Sequence, residues 1–238
     1  MRQESLIKLS AISGLLSGIT WAIGDILIVG FKTNLAAYPG IANSDMIKDK
    51  ELAATMIQGG TGRLMAGALV AAFTIPLMIL ALYSVKKLLT GAAPIFVNVL
   101  IAILFVAFSW SPLAHAAFFY VGEASKLAVE LDAAPAYAMT QVFIDMLYAN
   151  WYAAIIATGI GWLLASIAIF GGRTALPRYF GLLTPLPVTA FLDVVYIVAP
   201  FLIPDFLAGA VFNLAAIVFY ASVAVFCFRH PRRLANIK

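Results

Sequence analysis

Apolar residues run for twenty or more positions at several places along this chain, and the charged residues gather in the gaps between the runs. Runs of that length are what a helix needs to cross the ~30 Å hydrocarbon core of a bilayer. They predict six helical spans, at about 7–31, 63–85, 94–121, 150–171, 182–203 and 207–228. No stretch alternates apolar and polar residues as a membrane barrel strand would. Boundary residues agree with the placement. Arg63 opens the second span and Lys86–Lys87 close it, Pro94 stands where proline suits a helix start, and Gly171–Gly172 and "RHPRR" (229–233) stop the fourth and sixth. The segment 134–148, "APAYAMTQVFIDMLY", also has a helical period; lying along the interface, re-entering, or making a seventh span are all open for it. The fold class is therefore all-α, a polytopic transmembrane bundle forming one domain over 1–238.

Composition strengthens this picture. The chain is 63% apolar and 11% charged, with a mean hydropathy of +1.00, far from the ~45–50% and ~25% of ordinary soluble domains. A formal net charge of +4 does not signal nucleic acid, because the basic residues sit at helix ends and form no patch with interleaved aromatics. The apolar part of the N-terminus is longer than the ~7–15 residues of a signal-peptide core and lacks a cleavage site, so it reads as the first span. Cys227, the one cysteine, excludes an internal disulfide and a cysteine-based metal cluster. "GLLSG", Gly14 to Gly18, is a GxxxG that lets another helix approach closely, either within the chain or in a homo-oligomer.

Charge also orients the bundle. Lys86, Lys87, Arg173, Arg178, Arg229, Arg232, Arg233 and Lys238 fall on one side of a six-span topology, and Glu123, Glu130, Asp132, Asp145 and Asp205 on the other. The positive-inside rule then places both termini in the cytoplasm. In this orientation Asp25, His115 and Asn213 all fall in the outer half of their spans, Asp193 lies near the midplane with Tyr196 one turn further out, and Glu123 and Arg63 lie at the outer mouth. An ionised carboxylate in hydrocarbon costs at least ~2.5–3.5 kcal/mol, so Asp25 and Asp193 are expected to face the bundle interior. The expectation is an outward-facing polar cavity built by Asp25, His115, Asp193, Tyr196 and Asn213. Trp21, Trp110, Phe118 and Phe119 would give it an aromatic wall, and Pro112, three residues before His115, a kink that widens it.

Several chemistries fail on residue content. Schiff-base chemistry needs a buried lysine, whereas Lys86, Lys87 and Lys126 lie at helix ends; one intramembrane histidine is too few for a multi-histidine zinc hydrolase, and no Walker loop, GxSxG or DDxxD run is present. No metal or cofactor is expected. Three readings stay open. The first is an intramembrane enzyme acting on a lipid or other apolar small molecule, with Asp25 and Asp193 as acid and base and His115 as shuttle. Burial favours the uncharged forms of both residue types, which is how acid–base pairs are tuned. The second is a proton-coupled carrier or lipid-binding protein. Carriers usually place polar groups on both sides of the midplane, whereas here polarity keeps to one half. The third is a structural or assembly subunit in which these residues are interhelical glue.

"GITWAIGD" (18–25), "WSPLAHAAFFY" (110–120) and "FNLAAIVFY" (212–220) resemble an uncharacterised group of bacterial multi-pass membrane proteins. The resemblance implies a bacterial inner-membrane location and marks Asp25, His115 and Asn213 as a set; it carries no activity across.

Overall fold

A computed structural model of the protein describes residues 3–235, which are all-helical, with no β-strand. In chain order the helices are α1 (Gln3–Val29), α2 (Pro39–Asn43), α3 (Lys50–Gln58), α4 (Thr61–Leu88), α5 (Pro94–Leu131), α6 (Ala134–Phe170), α7 (Phe180–Leu183), α8 (Pro185–Val198), α9 (Asp205–Ala208), α10 (Val211–Arg229) and α11 (Pro231–Ala235). Five of them, α1, α4, α5, α6 and α10, are long and apolar enough to cross a membrane.

Two expectations about the spans need correction. The expected connection at 122–149 is not a loop. The third span continues unbroken to Leu131, and the segment 134–148 is the first part of α6 rather than a separate interfacial or re-entrant piece. At 1.5 Å per residue the two helices are each about 55 Å long, nearly twice a bilayer core. Nothing in the sequence stops α5 before Asp132, which takes a left-handed φ of 44° and donates its backbone N–H to the Ala128 carbonyl. Asp tolerates that conformation better than most residues. Pro135, in the first turn of α6, then starts the return.

The fifth expected span, 182–203, is the second correction. It breaks at Thr184, whose hydroxyl is held by Ser166 of α6, and again at Ala199 before a 3-10 turn over Pro200–Leu202. What remains is α8, 14 residues and about 21 Å long. The prolines at 185, 187 and 200 account for the interruptions, because each removes a donor and clashes with the preceding turn.

The start of α1, α11, the 89–93 turn and the 171–184 segment share one end of the bundle. The Ala175 N–H reaches the Leu88 carbonyl at 3.0 Å, and Lys8 lies over the Phe228 ring. At the opposite, far end, α2 and α3 pack against the prolongations of α5 and α6 and make a second storey. Its core includes Ile28, Ile41, Ile47, Met56, Val121, Ala128, Tyr137 and Leu147. Polar ties fix it. Asp49 caps α3 by accepting the Leu52 N–H at 2.8 Å, and its other oxygen accepts the Tyr148 hydroxyl. The Gln141 amide oxygen accepts the Lys48 N–H at 2.7 Å. The larger core, with Ile7, Leu100, Leu104, Trp162, Phe219 and Tyr220, fills the storey nearer the termini.

Serines and glycines set the helix crossings. The Ser10 hydroxyl of α1 donates to the Leu80 carbonyl and accepts the Ser84 N–H of α4, at 2.5 and 2.8 Å, two groups one turn apart on that helix. Gly24 and Gly67 face each other: a methyl group at Gly67 would stand 2.9 Å from the Gly24 carbonyl oxygen. The small face of Gly14 and Gly18 is taken up inside the chain by Tyr220 and Ile217 of α10.

Candidate functional site

Where the two storeys meet, the apolar interior is interrupted. Trp21 belongs to one core and Ile28 to the other, and between them on α1 lies Asp25. One of its oxygens accepts a hydrogen bond of 2.6 Å from the side-chain amide of Asn213 on α10. The other stands 3.4 Å from Nε2 of His115 on α5. The His115 ring meets the Trp21 indole edge-on, with centroids 4.6 Å apart. Three helices distant in sequence thus converge on one carboxylate. The close Gly24–Gly67 approach lies beside it, with the added methyl at Gly24 only 3.9 Å from the imidazole.

These residues form one end of a cavity of about 420 Å³. Its walls are Trp21 and Asp25 of α1, Phe108, Ser111, Ala114 and His115 of α5, and Trp151, Ala154, Ile155 and Thr158 of α6. Thr189 and Asp193 of α8, Val211, Phe212 and Asn213 of α10, Met78 of α4, and Ala208 and Gly209 at the end of α9 complete them. The α5 residues recur at three- and four-residue steps on one face that spans Pro112, the proline inside that helix. Among the lining residues Trp151, Asp193 and Gly209 are exposed, so the mouth lies between α6 and α8, which scarcely touch each other. Three side-chain atoms on lining residues are buried without a hydrogen-bond partner: Trp21 Nε1, His115 Nδ1 and Thr189 Oγ1.

The expected site residues divide clearly. Asp25, His115, Asp193, Asn213 and Trp21 share the cavity, and of these Asp193 is the exposed one, at its mouth. The other four lie elsewhere. Tyr196 turns toward Asp205, at 3.4 Å. Trp110 donates from Nε1 to Asn150 of α6 at 2.8 Å. Phe119 packs edge-on against Tyr120. Glu123 accepts from Thr61 at 3.0 Å and pairs with Lys126 at 2.6 Å, tying the second storey to the start of α4. Arg63 is not at the cavity rim. It donates to the Ile26 carbonyl at 2.8 Å, closing the C-terminal end of α1, and lies over the Phe31 ring. Ser111, Thr158 and Thr189 escaped the sequence reading. Hydroxyls are common in apolar helices, and only the α5 spacing of Phe108, Ser111 and His115 hinted at a shared face.

What the fold and site define is an all-helical bundle with several helices of membrane-spanning length and a largely apolar cavity lined by a few polar groups. The chain belongs to DUF6796, a family of unknown function that matches residues 1–230. No curated protein and no solved structure matches it.

Proposed function

We propose that the protein is an integral membrane protein of the bacterial inner membrane that binds a small, largely apolar molecule in the cavity between α1, α5, α6, α8 and α10. It crosses the bilayer six times, with α8 and the turn after it as a shallow, broken crossing, and keeps both termini in the cytoplasm. The charge distribution supports the orientation. Lys86, Lys87, Arg173, Arg178, Arg229, Arg232 and Arg233 cluster at the terminal end. Apart from Glu4 and the cavity's Asp25 and Asp193, the acidic residues belong to segments at the far end.

The observation that carries the binding reading is the cavity itself. Its walls are mostly apolar, the Asp25–Asn213–His115 cluster sits at one end, and buried polar atoms there lack partners. Binding sites combine these features, an apolar body and a few convergent polar groups. A mouth between two helices at bilayer depth lets a molecule enter sideways from the lipid. Asp25, held by Asn213 and facing His115, is the group to which a polar head would bind, and the same pair is where any proton-transfer step would act.

The test uses intrinsic fluorescence, because Trp21 and Trp151 both line the cavity. Purified protein in a non-ionic detergent is titrated with bromine-labelled alkyl amphiphiles of one chain length bearing ammonium, alcohol or carboxylate heads. Saturable quenching by at least one of them is expected. It should be lost in Ala154→Phe, which fills the cavity, at a thermal midpoint that shows the variant folded. No saturable quenching by any head group would overturn the reading.

A further inference from the structure

We infer that the cavity's ligand is a lipophilic cation, an amine or quaternary ammonium on an apolar body; this rests on the binding reading above and names its ligand class. Two carboxylates, Asp25 and Asp193, line the cavity, and no lysine or arginine does. Arg63 is engaged with the carbonyls ending α1 and the Phe31 ring, and Lys126 with Glu123. Asp193 has no hydrogen-bond or ion-pair partner among the described residues. A carboxylate in a low-dielectric surrounding is tolerated when a counter-charge meets it, and here the protein supplies none at Asp193.

The walls point the same way. Trp21, Phe108, Trp151 and Phe212 bring aromatic rings to the cavity, and aromatic faces attract cations, indole most strongly. An anionic head group would instead meet two carboxylates, and a neutral one would leave Asp193 without a counter-charge. An independent feature marks the place as built for a polar guest. Trp21 is 4% exposed, lines the cavity, and its Nε1–H has no acceptor. Buried indole N–H groups are normally satisfied. An oxygen on the ligand close to its charged centre, or a water carried in with it, would take that proton. The Thr189 hydroxyl, also without a partner, stands one turn from Asp193 on α8.

The three bromoalkyl probes distinguish this inference from the reading beneath it. The ammonium probe is expected to bind at least tenfold tighter than the alcohol, and the carboxylate weakest. Asp193→Asn should cut the ammonium-over-alcohol ratio at least threefold, and Asp25→Asn should cut it further. Ala154→Phe keeps both carboxylates while filling the space, so it should abolish binding of the ammonium probe; full retention would place that probe on the acidic surface and overturn the inference. Alcohol or carboxylate binding as tightly as ammonium would overturn it too, leaving the cavity reading intact. Failure of all three probes would overturn both.

Discussion

Asn213 donates a hydrogen bond of 2.6 Å to Asp25 across 188 residues of sequence, and the bond joins the first long helix to the last. Both residues are largely buried in an apolar setting, where a donor or acceptor left unmade costs more than a typical bond contributes. Asn213→Ala is therefore expected to destabilise the protein by about 1–3 kcal/mol, read as a lowered thermal midpoint in detergent. In a double-mutant cycle with Asp25→Ala the losses should be non-additive by about 0.5–3 kcal/mol. Additive losses would show that the two side chains do not act as a pair.

Gly67 lies against Gly24 and Ile28, and a methyl group there would stand 2.7 Å from the Ile28 side chain. Gly67→Ala must therefore push α4 from α1, at a cost of about 1–3 kcal/mol for overpacking. Because the crossing lies beside His115, the substitution should also weaken probe binding in the fluorescence titration. An unaltered midpoint with unaltered binding would mean the helices separate at no cost.

Ser10 holds two backbone groups of α4 at once, the Leu80 carbonyl and the Ser84 N–H. Ser10→Ala leaves those two groups one helical turn apart, placed to bond each other, so the loss should be modest, about 0.6 and at most ~1.7 kcal/mol, the range for interhelical hydrogen bonds in membranes. Denaturation in mixed micelles would measure it. A loss several times larger would show that α4 cannot close its ladder without the serine.

The second storey should open independently of the bundle. Asp49→Ala removes the cap of α3, worth about 1 kcal/mol, together with the acceptor of the Tyr148 hydroxyl. Hydrogen exchange is expected to quicken over Lys50–Gln58 while the amides of α10 keep their protection. Equal loss of protection in both would mean the two storeys unfold as one.

Much of this architecture is written in apolar run length, because a span is a local property. The five long helices and the set Asp25, His115 and Asn213 could be read that way; an ionisable residue inside an apolar run stands out on desolvation grounds alone. The long hairpin was less legible. Glu123, Lys126 and Glu130 made 122–149 look like a connection, yet Val121, Ser125 and Ala128 keep a buried helical face through those charges, and no helix-stopping residue comes before Asp132. Run length reports where lipid ends, not where a helix ends. Tyr196 shows another limit: its spacing from Asp193 is that of one helical face, but its hydroxyl turns to Asp205 beyond the end of α8. Trp110 shows the same limit, since its sequence neighbourhood points to the cavity while its indole N–H finds Asn150 on the adjacent helix. Which of several polar residues meet depends on how helices rotate against one another, and that is decided by long-range contacts such as Gly24–Gly67.

The distance in sequence between Asp25 and Asn213 is also an interval of time. At about 5–20 residues per second, a ribosome that has made Asp25 takes roughly 10–40 s to reach Asn213. Through that interval the carboxylate has at most His115 from the site, and only after some ninety further residues have been added. The cavity's polar end is completed by one of the last helices to emerge, so a chain released before Val211 would carry Asp25 without the residue that holds it.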